Sequence, residues 1–170
     1  IKIEFVPGGS KYSVILGLDI SSDGSMLACL SGLEKQRIVL SRMEKGHSVI
    51  TFFKYMEKDQ TRQSFVKFTC ALPIYYSFAG GLGIVNCESG KNIELDMKGY
   101  VISLKHTGIP GTFFVLTKNS SEYTVYVVEN FTQKSGSFSF EADSAFIETE
   151  ENDLFIGRDS KISKIQIVRN

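Results

Sequence analysis

The stretch Ile20-Ser21-Ser22-Asp23-Gly24-Ser25-Met26-Leu27-Ala28-Cys29-Leu30-Ser31-Gly32 sets a polar turn directly in front of a run of apolar and small residues, then ends that run with a second glycine. Asp-Gly is a tight-turn signal, because glycine takes positive φ without steric cost and the aspartate side chain bonds its own local backbone. Val14 to Ser21 and Met26 to Ser31 therefore read as two antiparallel strands joined at that turn. Both are unusually apolar, and a strand apolar on both faces has to be covered on both.

The same phrase returns along the chain. Strong apolar strands follow a turn at Ile74 to Phe78, Thr112 to Thr117 and Leu154 to Gly157, and the starts at Met26, Ile74, Thr112 and Leu154 are spaced 48, 38 and 42 residues apart. Each is followed by a polar turn and another strand: Arg37 to Met43, Gly83 to Cys87, Tyr123 to Glu129 and Lys161 to Val168. The next strand changes character, since Ile93 to Lys98 and Ser137 to Glu141 alternate apolar with polar as a half-exposed strand does. Strands apolar throughout, followed by strands that alternate, form the gradient expected of a propeller blade, whose inner strands are sandwiched between neighbours while its rim meets solvent. A β-sandwich would show similar alternation along most strands.

The segment Ile20 to Ala28 resembles the S-x-D-G-x-x-L-A turn of WD40-like β-propeller blades, and the repeat that carries it runs over nearly the whole chain. The chain has no Trp, so no Trp-Asp dipeptide, and no Gly-His pair opens a blade. The resemblance is thus to divergent bacterial WD40-like propellers, and it transfers no partner and no site. It implies an all-β fold with about four blades' worth of four-stranded antiparallel sheets in one domain spanning 1–170. The repeats fall at approximately 12–57, 64–98, 99–141 and 144–168, with 1–6 as an extra blade strand. The last repeat has only three strands. Either Ile1 to Val6 pairs with Ile162 to Val168 and closes a small ring, or that strand ends a preceding blade and the chain is the C-terminal part of a larger propeller. The abrupt start inside an alternating pattern favours the second.

Composition agrees with a single all-β domain. A chain of 170 residues, 42% of them apolar, buries roughly 70% of its unfolded surface and needs neither disulfide nor metal to fold. Thirteen Phe and seven Tyr, with frequent Val and Ile, favour strands. Lys plus Arg equals Asp plus Glu at 19 each, and the charges are scattered. That balance argues against nucleic acid as a partner. The basic cluster Lys161 to Arg169 alternates with Ile162, Ile165, Ile167 and Val168 and reads as the solvated face of a strand. There is no run of 18 apolar residues, so no membrane insertion is expected of this segment. Cys29, Cys70 and Cys87 sit in apolar contexts without metal-ligand spacing and read as reduced core thiols, with a Cys70 to Cys87 bridge as the alternative. An extracytoplasmic, membrane-tethered location through an upstream anchor is expected, with the cytoplasm as the alternative.

Chemistry-bearing patterns are sparse. Gly80-Gly81-Leu82-Gly83 superficially looks like a phosphate-cradling loop, but such loops need a helix N-terminus and a strand follows here, so a hairpin turn is expected. His47 and His106 each sit at a strand boundary without a third ligand in pattern, so no metal is expected. The carboxylates Glu148, Glu150, Glu151 and Asp153 lack the oxygen-ligand spacing of a calcium loop and read as a solvated hairpin loop. No Gly-x-Ser-x-Gly elbow occurs, and no catalytic residue or cofactor is expected. In Thr51-Phe52-Phe53-Lys54-Tyr55-Met56, alternation leaves Phe52 or Phe53 outward unless a neighbour such as Glu57 to Gln63 folds over them. Uncovered, these two, with Ile1, Ile3 and Phe5 of the first strand, are the partner-binding residues expected.

The expected function is a non-enzymatic protein-interaction or scaffold module, working with a protein partner, with a second copy of the chain or with upstream blades. The alternatives are a hydrolase or lyase with its residues converging in a central channel, and a blade set that completes a larger protein. These rest on analogy at the level of fold.

Overall fold

The computed structural model describes residues 15–31, 36–45, 47–56, 66–68, 74–78, 81–86, 89–130, 133–151 and 153–166. Every regular element among them is a β-strand. The strands fall into four antiparallel meanders. The first comprises β1 (Ile15–Ile20), β2 (Met26–Ser31), β3 (Gln36–Glu44) and β4 (His47–Met56), and the second β5 (Val66–Phe68), β6 (Ile74–Phe78), β7 (Gly81–Val85) and β8 (Asn92–Asp96). The third holds β9 (Tyr100–His106), β10 (Phe113–Asn119), β11 (Glu122–Glu129) and β12 (Gln133–Glu141), and the fourth only β13 (Ala145–Glu150), β14 (Asp153–Arg158) and β15 (Lys161–Gln166). Sequence neighbours are spatial neighbours in all four sheets, so within each sheet the chain reverses between successive strands. Lys45, Ser120, Asn130, Glu151 and Asp159 supply positive φ at five of those reversals, the backbone shape that matches strand twist.

The turn between β1 and β2 shows how the opening stretch works. Gly24 takes φ 71°, and the Gly24 amide donates to the Ser21 carbonyl at 2.8 Å. The Asp23 carboxylate accepts from the Ser21 hydroxyl at 2.7 Å, the Ser25 amide at 3.0 Å and the Ser25 hydroxyl at 2.8 Å. The Met26 amide donates to Ser21 Oγ at 2.9 Å. The polar residues are consumed by the turn, and β2 starts with its register already set.

The chain divides into two compact units, Ile1–Glu94 and Leu95–Asn170. In the first, Met26, Ala28 and Leu30 of β2 and Ile38 and Leu40 of β3 pack with Val66, Tyr76 and Val85 of the second sheet, and Leu16 and Phe52 lie against the cluster. In the second unit, Phe114, Leu116, Tyr123 and Val125 of the third sheet pack with Ile147, Leu154 and Ile156 of the fourth. Each core is thus one sheet laid on another, and every large side chain within it contributes about 1.5–3 kcal/mol of burial.

All six residues of β2 are buried, as the coverage argument requires. The same expectation for β1 is corrected: Ile15, Leu18 and Ile20 are exposed. An edge strand has a neighbour on one side only, and its apolar residues here are not covered from the face. At Gly80–Gly83 a hairpin does join β6 to β7, but its bounds are corrected, because Gly81, Leu82 and Gly83 lie inside β7. Glu148 and Glu150 belong to β13 and Asp153 to β14, so the acidic group flanks a tight reversal at Glu151 instead of filling a loop. Cys29 is a buried free thiol, its pKa pushed up by burial, while Cys70 and Cys87 lie outside the described residues. So do Ile1 to Val6 and the proposed pairing of that strand.

Candidate functional site

The titratable side chains form local structural contacts. His106 ends β9, where its ring stands 5.7 Å from that of its ladder partner Phe113, and its carbonyl accepts from the Thr149 hydroxyl at 2.7 Å. Glu148 pairs with Lys105 at 2.6 Å and Asp153 with Lys164 at 2.6 Å. Among the described residues no group of three or more His, Cys, Asp or Glu is placed to hold a metal ion, and the side chain of His47 lies outside them.

One polar network reaches into the first core. The buried Tyr76 hydroxyl donates toward Asn92 Oδ1 at 2.9 Å and lies 3.1 Å from Glu94 Oε1, which also receives the Lys54 ammonium. Burial, then the Glu94 charge, push the phenol well above its ordinary value. Burial opposes ionisation of Glu94, but the Lys54 and Tyr76 hydrogen bonds outweigh it and hold that carboxyl below the usual range. At neutral pH the phenol is a donor and the carboxylate an acceptor. The network ties β4 and β8 to β6 and is poised for no proton transfer near pH 7.

The exposed apolar residues are more informative. In the ladders of the first sheet, Leu18 is in register with Cys29 and Val39, Ile20 with Leu27, Ser41 and Ile50, and Ile15 with Ser31, Arg37 and Tyr55. Ile15, Leu18, Ile20, Ile50 and Tyr55 therefore share one face, opposite the face that carries Ala28, Leu30, Ile38 and Leu40 into the core. All five are exposed, Leu18 at 46% and Tyr55 at 58%. The centre of this face is closed, with Leu27, Cys29, Ser31 and Ser41 buried, and the Arg37 guanidinium is held by Ser31 Oγ at 3.1 Å. The result is an apolar rim on two edge strands around a fixed polar pair.

Of the residues singled out from sequence, Phe52 is half-buried against the first core. Phe53 is the ladder partner of Val39, and its side chain, like Ile1, Ile3 and Phe5, lies outside the described residues. Ile15, Leu18, Ile20, Ile50 and Tyr55 were missed. Two bulges explain this, one between the Ile15 and Gly17 pairs and one between the Leu40 and Ser41 pairs. Each inserts a residue and reverses the alternation, so Ile50 and Phe52, two apart in sequence, end on opposite faces.

A family model described as a beta-propeller protein matches residues 1–170. The chain belongs to this β-propeller family. Its four sheets are the small antiparallel units from which such a fold is repeated. An uncharacterized protein of Treponema pallidum (strain Nichols) is 24% identical to it over 168 residues, which is 98% of this chain and 45% of that protein. The chain thus spans less than half the length of that relative. Among solved structures, the AfRom2 CNH domain is similar with a TM-score of 0.63 at 12% identity, over 93% of this chain and 53% of that one. The acylaminoacyl peptidase of Pyrococcus horikoshii gives 0.59 at 9% identity, over 91% of this chain and 32% of the peptidase. At such identities the likeness is one of fold alone, and it brings neither a peptidase site nor any other activity to this propeller.

Proposed function

We propose that this propeller segment is a non-enzymatic interaction module that holds a protein partner on the outer face of its first sheet. The observation that supports the reading is the grouping of Ile15, Leu18, Ile20, Ile50 and Tyr55 on one face while all are exposed. Large apolar side chains gathered and exposed on one face of a sheet are a common mark of an interaction surface. Aromatic residues at such a surface, here Tyr55, give large contact area for little lost side-chain freedom. The two edge strands that present the rim are held in register by β2 and β3 between them, so a partner meets a pre-ordered surface and less of its binding energy goes into ordering.

The test compares native co-purification with the unaltered protein and with a Leu18→Asp, Tyr55→Ala double variant. Both positions are about half exposed, and the circular dichroism spectrum of the variant checks that its fold is kept. A partner that the unaltered protein retains and the variant loses supports the reading. A partner held equally by both moves the binding surface elsewhere and rejects it.

A further inference from the structure

Asp23-Gly24 is the one place in the chain where an aspartate or asparagine precedes glycine. Such a pair carries a latent reaction of its own. The glycine amide nitrogen, with no side chain beside it to hinder approach, attacks the aspartate Cγ. A C–N bond forms, the carboxyl hydroxyl and the amide proton leave together as water, and a five-membered cyclic imide results. Water then opens the ring at either carbonyl. Addition at Cγ restores aspartate, whereas addition at the main-chain carbonyl gives isoaspartate, whose backbone runs through Cβ and Cγ and is one methylene longer. Packing does nothing to prevent this: Ser22, Asp23 and Gly24 are exposed, and apart from its chain neighbours no atom lies within 4 Å of the place a Cβ would take on Gly24.

The turn occupies both reacting groups instead. The Gly24 N–H that has to be given up donates to the Ser21 carbonyl at 2.8 Å. The carboxyl has to be protonated to release its oxygen, yet Asp23 Oδ1 accepts from the Ser21 hydroxyl and the Ser25 amide, and the Ser25 hydroxyl stands 2.8 Å from each carboxylate oxygen. These donors favour the ionised form and depress the carboxyl to about 2. They also pin it on the Ser25 amide, one residue beyond the nitrogen that would attack. We infer that Asp23-Gly24 is a conditional modification site, held back from spontaneous isoaspartate formation by Ser21 and Ser25 while the turn is closed and reactive once it opens. The reacted turn does not close as before. Ser21 and Met26 are joined by two hydrogen bonds, at 2.9 and 3.0 Å, and β2 is buried at all six positions. An extra methylene between them displaces that register, and the relocated carboxylate leaves both serines. This inference is independent of the partner surface on the first sheet.

The experiment ages the polypeptide as encoded, from first codon to last, at neutral pH, both folded and in guanidinium chloride. Isoaspartate at position 23 is followed by peptide mass spectrometry with electron-transfer fragmentation, in which its Cα–Cβ bond gives ions that aspartate does not. The expected result is accumulation at least about tenfold slower in the folded protein than in the denatured chain, as for a reaction reached only through local opening. Ser25→Ala narrows that gap, and the Ser21→Ala, Ser25→Ala double variant narrows it further, while circular dichroism still reports sheet. Equal rates in the folded and denatured chains overturn the inference. A folded Ser25→Ala protein that reacts as slowly as the unaltered one overturns it too, because the protection then belongs to the Gly24 amide and not to the serines. Ser25→Ala leaves Ser21 and its bond to the Met26 amide in place, so the test stands even where the double variant fails to fold.

Discussion

The ring of Tyr76 lies over Gly83, its directly opposed partner across the β6–β7 ladder, so closely that a Cβ on Gly83 would fall 2.0 Å from Tyr76 Cζ. The same device recurs between Phe146 and Gly157 across β13 and β14, with the nearest ring carbon again 2.0 Å from the position a Cβ would take. In both places a glycine within a strand, ordinarily a weakness, is shielded by the aromatic ring facing it. What differs is the surroundings. Tyr76 is wholly buried and hydrogen-bonded, whereas Phe146 is more than half exposed.

That contrast predicts unequal costs for the same substitution. Gly83→Ala drives a methyl into a ring that core neighbours hold in place, and overpacking of this kind costs about 1–3 kcal/mol. Gly157→Ala meets a ring free to swing toward solvent and costs less than about 1 kcal/mol in this segment. Urea midpoints of the two variants test it: a Gly157→Ala loss equal to or greater than that of Gly83→Ala would show that exposure does not decide the outcome.

Tyr76→Phe removes the hydroxyl while leaving the ring over Gly83. Asn92 Oδ1 and Glu94 Oε1 lose the one hydroxyl proton they share, and since both residues are partly exposed, water replaces part of what is lost. The expected destabilisation is about 1 kcal/mol. A second signature separates this from a packing defect. Glu94 is held below the usual carboxylate range partly by that hydroxyl, so its pKa rises in the variant, readable by carbon-detected NMR titration. An unchanged Glu94 titration would remove the hydroxyl from the account.

The legible part of the fold was the second strand of each sheet. β2 is buried at all six positions and β10 at its first five, and such strands are written as uninterrupted apolar runs that need no periodicity analysis. Their starts stand within a residue of Met26, Ile74, Thr112 and Leu154. The alternating rim strands were equally plain: Ser137, Ser139 and Glu141 are exposed while Phe138 and Phe140 are half-buried. The edge strands were not. Ile15, Leu18 and Ile20 carry the same side chains as a core strand, and hydrophobicity alone does not say whether anything lies above them. The candidate surface stayed hidden for a second reason, since the bulges opposite Leu40 and Ser31 leave no mark in the residue types. Lys45, Ser120 and Glu151 take positive φ at hairpins, and there the sequence does announce the turn, through the adjoining Gly46, Asn119 and Asn152.

The turn that opens β2 has a pH dependence of definite sign. The Asp23 carboxyl is lowered from its ordinary 3.8 to about 2, first by the Ser21 hydroxyl and then by the Ser25 amide and hydroxyl. In the unfolded chain those donors are dispersed, so the folded state binds the proton less tightly than the unfolded one. A folded pKa below the unfolded value gives stability that is fully present above about pH 4 and disappears as pH falls toward about 2. Asn at this position keeps the turn-forming shape but carries no charge to titrate. Asp23→Asn is therefore less stable than the unaltered protein at pH 6, and the gap narrows steadily between about pH 4 and about pH 2. Paired urea titrations across that range decide the matter. A gap that stays constant with pH would mean that the Ser21 and Ser25 contacts do not distinguish the ionised from the neutral carboxyl, and that the turn owes its shape to Gly24 alone.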